Sequence, residues 1–215
     1  KKKNANPFSL LICLLVAFCL LVSGDNSLAR ESQTSVAPAP AGDNATKPLV
    51  VYYSRTGNAR MVATALKNQL ACDMAEIQSK KKRGVFTIMC EQWFGFNDKQ
   101  EPLALDTANY NPIIIVSPIY FMRFSGPART FIDKTNLEGK DAYIFTTSGG
   151  PLAGFSARWI RGIATKHGMK VQTVTGFQIS KKTPEGKSAL KTQEDFDQDI
   201  KSFLEKTPIK STAHK

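Results

Sequence analysis

Histidine is scarce in this sequence, with His167 at the end of a helical pattern and His214 in the tail as its two members. Neither stands where a catalytic acid or base is expected, and His167 reads as a favourable partner for the dipole at a helix C-terminus. Cysteine is little used as well. Cys13 and Cys19 are ordinary members of an apolar run, which leaves Cys72 and Cys90 in the body of the chain. These two read as buried free thiols. A disulfide in an oxidising compartment is the alternative, since sequence alone does not give the ~4.4–6.8 Å Cα separation that such a bond requires. Also missing is an apolar stretch of the ~20 residues that span a bilayer comfortably. The run from Phe8 to Val22 falls short of that, and no twin-Arg pair precedes it. Finally, no Asp or Glu occurs from Ile113 to Ile132.

What is present is an ordinary globular composition. Of the 215 residues, 42% are hydrophobic, 9% aromatic and 22% charged, enough apolar side chain for one core and too much for a disordered chain. The 29 Lys and Arg against 18 Asp and Glu give a net charge of +11, which favours anionic partners. The densest basic runs, Lys1 to Lys3 and Lys80 to Arg83, are not interleaved with base-stacking aromatics, which argues against nucleic acid.

Lys1 to Lys3, the apolar run and the small residues up to Ala29 have the three-part order of a secretory signal. Residues 1–29 are therefore expected to be a signal peptide cleaved after Ala29, making the protein exported, periplasmic or extracellular. The alternative is an uncleaved anchor formed by residues 8–22, which would be the sole membrane contact. Residues 30–47, rich in Ser, Ala and Pro without apolar period, read as a flexible linker. The folded domain is expected over 48–207, and 208–215 as a disordered tail.

Leu49 to Tyr53 is a nearly continuous apolar run, the pattern of a strand buried on both faces of a parallel sheet. Residues 59–70 then place Val62, Ala65, Leu66 and Leu70 on one helical face. The alternation repeats. Ile113 to Val116 is a β-branched run, and Pro127 suits the first position of the helix after it. Tyr143 to Thr147 reads as a strand and residues 156–168 as a helix closed by Gly168. Met169 to Ile179 reads as a further strand. Thr192 with Asp195 begins a last helix burying Phe196, Ile200, Phe203 and Leu204. About five such units fit, so the pattern predicts a doubly wound α/β sheet with ligands bound beyond the carboxyl ends of its strands. The loops after Tyr53, Val116 and Thr147 should converge there.

The first of these loops, Ser54-Arg55-Thr56-Gly57-Asn58, joins a strand to a helix N-terminus. Gly57 permits a left-handed backbone, the hydroxyls and the Asn58 amide can donate, and the helix end carries partial positive charge. A phosphate suits such a turn, and a plain tight turn with polar caps is the other reading. VVYYSRTGNAR resembles the phosphate-binding loop of the flavodoxin family, SPIYFMRFSGPARTFID resembles its second flavin loop with the helix that follows, and TTSGG resembles its third. The three occur in the right order over roughly Pro48 to Lys206.

The resemblance implies a flavodoxin-like, doubly wound five-stranded parallel sheet with helices on both faces, binding FMN without a metal. It assigns the phosphate to Ser54, Thr56, Gly57 and Asn58, one side of the ring to Pro118, Ile119, Tyr120 and Phe121, and the other to Thr147, Ser148, Gly149 and Gly150. Tyr120 is the expected ring-contacting aromatic. Ala59 stands where the family often has a hydroxyl, a loss of ~1 kcal/mol for a typical hydrogen bond, and the charge of Arg55 is a candidate compensation. The third loop lacks the acidic and aromatic residues of many small flavodoxins. Phe155 is a candidate substitute, as is Trp159, although the latter's helical spacing with Ile160 and Ile163 fits the core better.

Residues 84–104 carry Trp93, Phe94 and Phe96 and resemble an insertion in larger flavodoxin-like proteins. These aromatics read as packing over the sheet edge, with guarding the flavin or receiving a partner as the alternative. The expected function is electron transfer through FMN, with an acidic redox protein or a quinone as partner. An NAD(P)H:quinone oxidoreductase on the same scaffold is the first alternative, and a cofactor-free binding module the second.

Overall fold

The computed structural model describes residues 47–79, 103, 105–207 and 209. The expected signal peptide, nearly all of the linker and the tail lie outside the described residues, as do Cys90, Trp93, Phe94 and Phe96. Strands β1 (Lys47–Tyr52), β2 (Asp73–Glu76), β3 (Tyr110–Tyr120), β5 (Asp141–Ser148) and β6 (Lys170–Gln178) form a parallel sheet in the order β2-β1-β3-β5-β6. The two-residue β4 (Arg123–Phe124) folds back antiparallel on the end of β3. Helices α1 (Asn58–Leu70) and α4 (Gln193–Lys206) cover one face, and α2 (Gly126–Lys134) and α3 (Gly154–Lys166) the other.

The apolar runs explain this two-sided burial. Successive side chains of a strand point to opposite faces. Val50, Ile114, Val116, Tyr143 and Phe145 accordingly pack beneath α1 and α4, while Leu49, Val51, Ile113, Ile115 and Ile144 pack beneath α2 and α3. Val62, Ala63, Ala65 and Leu66 form the buried stripe of α1. On α4, Phe196 and Ile200 are fully buried, whereas Phe203 and Leu204 are half-buried, with Phe203 edge-on to Phe145 at 5.2 Å. Thr192 and Asp195 form the expected capping box. Gly168 ends the turn after α3 at φ 76°, where an added Cβ would meet Glu138 Cγ at 2.9 Å.

Boundaries differ from expectation by small amounts. The first strand begins at Lys47 rather than Leu49 because it pairs with Tyr110 of β3, and β3 runs on to Tyr120 because β4 hydrogen-bonds to it. Two features have no counterpart in the sequence reading. One is β2, whose sequence DMAE carries no apolar run because it is the edge of the sheet. It is secured by its ends: Tyr110 Oη donates to Asp73 at 2.8 Å, and Arg60 pairs with Glu76 at 3.0 Å. The other is the polar hairpin of β7 (Ser180–Lys182) and β8 (Ser188–Leu190), closed by Gly186 at φ 76° and tied to α4 through the Lys181–Asp195 pair at 2.6 Å.

Candidate functional site

Three loops meet at the carboxyl ends of the central strands. Tyr53 N–H donates to Val116 O at 3.0 Å, Pro118 is opposite Thr147 in the sheet register, and Ile179 N–H donates to Ser148 O at 3.0 Å. The loops following β1, β3 and β5 are thereby held side by side.

The first loop is shaped by Gly57, the N-cap residue of α1, at φ 90° and ψ −27°. Its N–H donates to Ser54 Oγ at 3.1 Å, and Asn58 Nδ2 donates to Thr56 Oγ1 at 3.1 Å. Among the described residues, no side chain caps α1 and no acid occupies its first turn. The first amides of α1 are thus aimed at the loop with the positive end of the helix dipole behind them, a ready anion site. Ala59 is 2% exposed and packs with Val50 and Tyr52 in the core. A hydroxyl there would be drawn into apolar surroundings, so the missing donor reflects packing. Arg55 is exposed, whereas the neighbouring Arg60 is committed to Glu76.

The second loop is a hairpin. Ile119 pairs with Phe124 and Tyr120 with Arg123, leaving Phe121 and Met122 at the turn with φ 48° and 64°. Such backbone favours Gly or Asn and costs bulky residues on the order of 1–3 kcal/mol each. The surroundings hold it. Ser117 Oγ and Ser125 Oγ are hydrogen-bonded at 2.6 Å in full burial, Ser125 also caps α2, and Ser156 Oγ donates to Met122 O at 2.7 Å. Phe121 and Met122 are consequently 58% and 53% exposed, while Pro118, Ile119 and Tyr120 are half-buried.

In the third loop Thr147 is buried, Ser148 Oγ donates to Gly150 O at 2.5 Å, and Gly149 and Gly150 are exposed. A Cβ at either glycine would meet nothing within 4 Å, so the space above the end of β5 is open. Sequence reasoning missed the residue that seats this loop. An added Cβ on Gly176 of β6 would come within 2.6 Å of Leu152 Cβ. A glycine inside a strand marks a close approach of this kind, and that was the available signal. Of the two candidate substitutes in the third loop, Phe155 is 65% exposed, and Trp159 is half-buried with the guanidinium carbons of Arg123 and Arg129 at 5.8 and 6.0 Å from its ring.

The three loops carry charge of one sign. The segments 53–58, 117–125 and 148–153 contain no Asp or Glu and contribute Arg55 and Arg123, with Arg129 in the first turn of α2 and Arg158 in the second turn of α3. At the opposite end, where the strands begin and α2 finishes, Asp73, Asp106, Asp133, Glu138 and Asp141 are mixed with Lys47, Lys134, Lys140 and Lys170. A cleft lined by Ile77, Leu105, Phe131 and Lys134 lies along the flank of α2. It takes no part in the meeting of the three loops. Among the described residues no cluster of His, Cys, Asp and Glu could hold a metal ion.

An anion cradle at the head of α1, two loops flanking open space, and a parallel sheet in this order define a flavodoxin-like α/β protein. Solved structures agree on the fold. A flavoprotein of Lactobacillus acidophilus in complex with FMN is similar at 19% identity and a TM-score of 0.53, covering 61% of this chain and 93% of its own. Proteins of Bacteroides uniformis and Bacteroides eggerthii, both provisionally described as flavoproteins, are similar at TM-scores of 0.59 and 0.57, with 21% and 19% identity. They cover 74% and 77% of this chain and 99% of their own. The model of the NADPH-dependent FMN reductase family matches residues 49–181, and the chain belongs to that flavodoxin-like, FMN-binding family. FMN is its cofactor.

Proposed function

We propose that this chain is an exported electron-transfer flavoprotein in which FMN is carried by the three loops. The observation that carries the reading is their chemistry. They offer hydroxyls, amides, aromatics and arginines, but no carboxylate or imidazole to hold or move a proton. Such loops bind, orient and shield. Ser54, Thr56, Gly57 and Asn58, with the first amides of α1, hold the phosphate. Pro118 to Phe121 lie on one side of the ring and Thr147 to Gly150 on the other. FMN, when bound, supplies the electron uptake and release, and the protein sets its potential and access.

A second reading, an NAD(P)H:quinone oxidoreductase, is favoured by the family match over residues 49–181. One experiment separates them. Purified holoprotein is mixed with excess NADPH and a quinone while NADPH absorbance is followed. A carrier consumes no more than one equivalent per FMN, whereas multiple turnovers would replace the first reading with the second. Export rests on the signal-like order of residues 1–29. Intact-mass measurement of the secreted protein should give an N-terminus at Arg30, and retention of residues 1–29 would favour the anchor.

A further inference from the structure

We propose that the face formed by Met122, Phe155, Arg123 and Arg158 is the docking surface for an acidic redox protein. This deepens the electron-transfer reading and rests on it. The large apolar side chains most exposed among the described residues are Phe121, Met122, Phe155 and Leu190, and the first two share the turn of the second loop. The bond from Ser156 Oγ to Met122 O joins the turn of the second loop to the first turn of α3, where Phe155 is the residue before Ser156.

The backbone at Phe121 and Met122 is the left-handed conformation that L side chains avoid, and buried bonds maintain it. Strain of this sort collects at functional sites. Here its visible result is that two apolar side chains stand in solvent on a rigid turn.

Charge identifies the partner. Arg123 lies over Trp159 and Arg158 is exposed one helical turn beyond Phe155, with no acid in the adjoining loops. Apolar side chains at the centre with charges of one sign around them have the anatomy of a protein interface whose electrostatics steer the approach. A second copy of this chain would bring the same sign to the contact and be repelled. A small ligand would be enclosed in a concave site rather than met by projecting side chains. The surface therefore fits a carboxylate-rimmed protein whose own redox centre must come close to the flavin.

The full-length FMN-loaded protein is titrated calorimetrically with an acidic plant-type [2Fe–2S] ferredoxin, with basic cytochrome c as the opposite-charge control. Binding of ferredoxin at low salt is expected, weakening at least tenfold on raising the salt and on either Met122→Asp or Arg158→Glu, with an intermediate loss for Arg158→Gln. Met122→Asp is chosen because Asp tolerates left-handed backbone, so the turn keeps its shape. Absence of ferredoxin binding, equal binding by the variants, or preferential binding of cytochrome c would overturn the proposal. So would residue-dependent binding to vesicles containing phosphatidylglycerol in place of ferredoxin. Calorimetry does not require a flavin, so a colourless protein that still binds ferredoxin would count against the electron-transfer reading alone.

Discussion

Thr56 and Asn58 are bonded to each other at 3.1 Å in the loop before α1, so each holds the other in place for an incoming phosphate. Substituting either by Ala should weaken FMN by about 1.5–3 kcal/mol, the range for hydrogen bonds to a charged group. The double variant should lose less than the sum, since removing one partner already loosens the other. Fluorescence titration with FMN and with riboflavin checks this, because riboflavin, lacking phosphate, should bind all variants equally. At Cys72 the side chain is 6% exposed, and burial, with Asp73 beside it, pushes the thiol up to about 11. The thiolate is the reactive form, so at pH 8 this thiol should resist alkylation. Peptide mapping after iodoacetamide treatment should find Cys72 unmodified in the folded protein and modified in denaturant.

At the scale of elements, Gly176 and the turn of the second loop show how the loops are seated. Leu152 Cβ would stand 2.6 Å from any Cβ at position 176, so Gly176→Ala must push the third loop off β6. FMN affinity is expected to fall roughly tenfold, about 1.4 kcal/mol, with dissociation accelerated more than association slowed. Unchanged affinity by stopped-flow would mean the loop accommodates the methyl. Replacing Phe121-Met122 by Asn-Gly, the residues that a tight hairpin turn favours, should raise stability by about 1 kcal/mol in urea unfolding of the apoprotein. FMN binding should drop at the same time through loss of the Phe121 ring.

These cases also show what was legible in the sequence. Strands β1, β3 and β5 were visible because both faces are buried and their runs are continuous, and the loops were visible where glycine marks them, at Gly57 and Gly149. Strand β2 was not, since an edge strand held by Asp73 and Glu76 needs no apolar run. Nor was the turn at Phe121 and Met122, because bulky residues there contradict local preference and only the Ser117–Ser125 and Ser156 contacts, distant in sequence, enforce it.

At the scale of the whole molecule, the cations of the loops matter for the flavin's potential. Cations near the ring stabilise the reduced anion, and Arg123 belongs to the second loop, with its guanidinium over Trp159. An exposed pair is worth ~0.2–1 kcal/mol. On a one-electron scale of ~59 mV per tenfold change, the upper end is roughly 40 mV. Arg123→Gln should therefore lower the potential of the final one-electron step by up to about 40 mV at low salt. The shift should shrink as salt is added. Spectroelectrochemical titration checks it, and a rise or no shift would show that the guanidinium does not act on the ring.

The direction of the chain through the sheet has one more consequence. Strand β1 begins at Lys47 on the side of the sheet opposite the three loops, and α4, which runs back against the strands, ends at Lys206 on that same side. The domain is therefore held by a single handle. Whatever is joined before Lys47, whether a fusion partner, a bead or a gold electrode, grips the molecule at the end where its strands begin and leaves the flavin end pointing outward. Immobilised in that way, every molecule should present the same FMN-binding loops to solution.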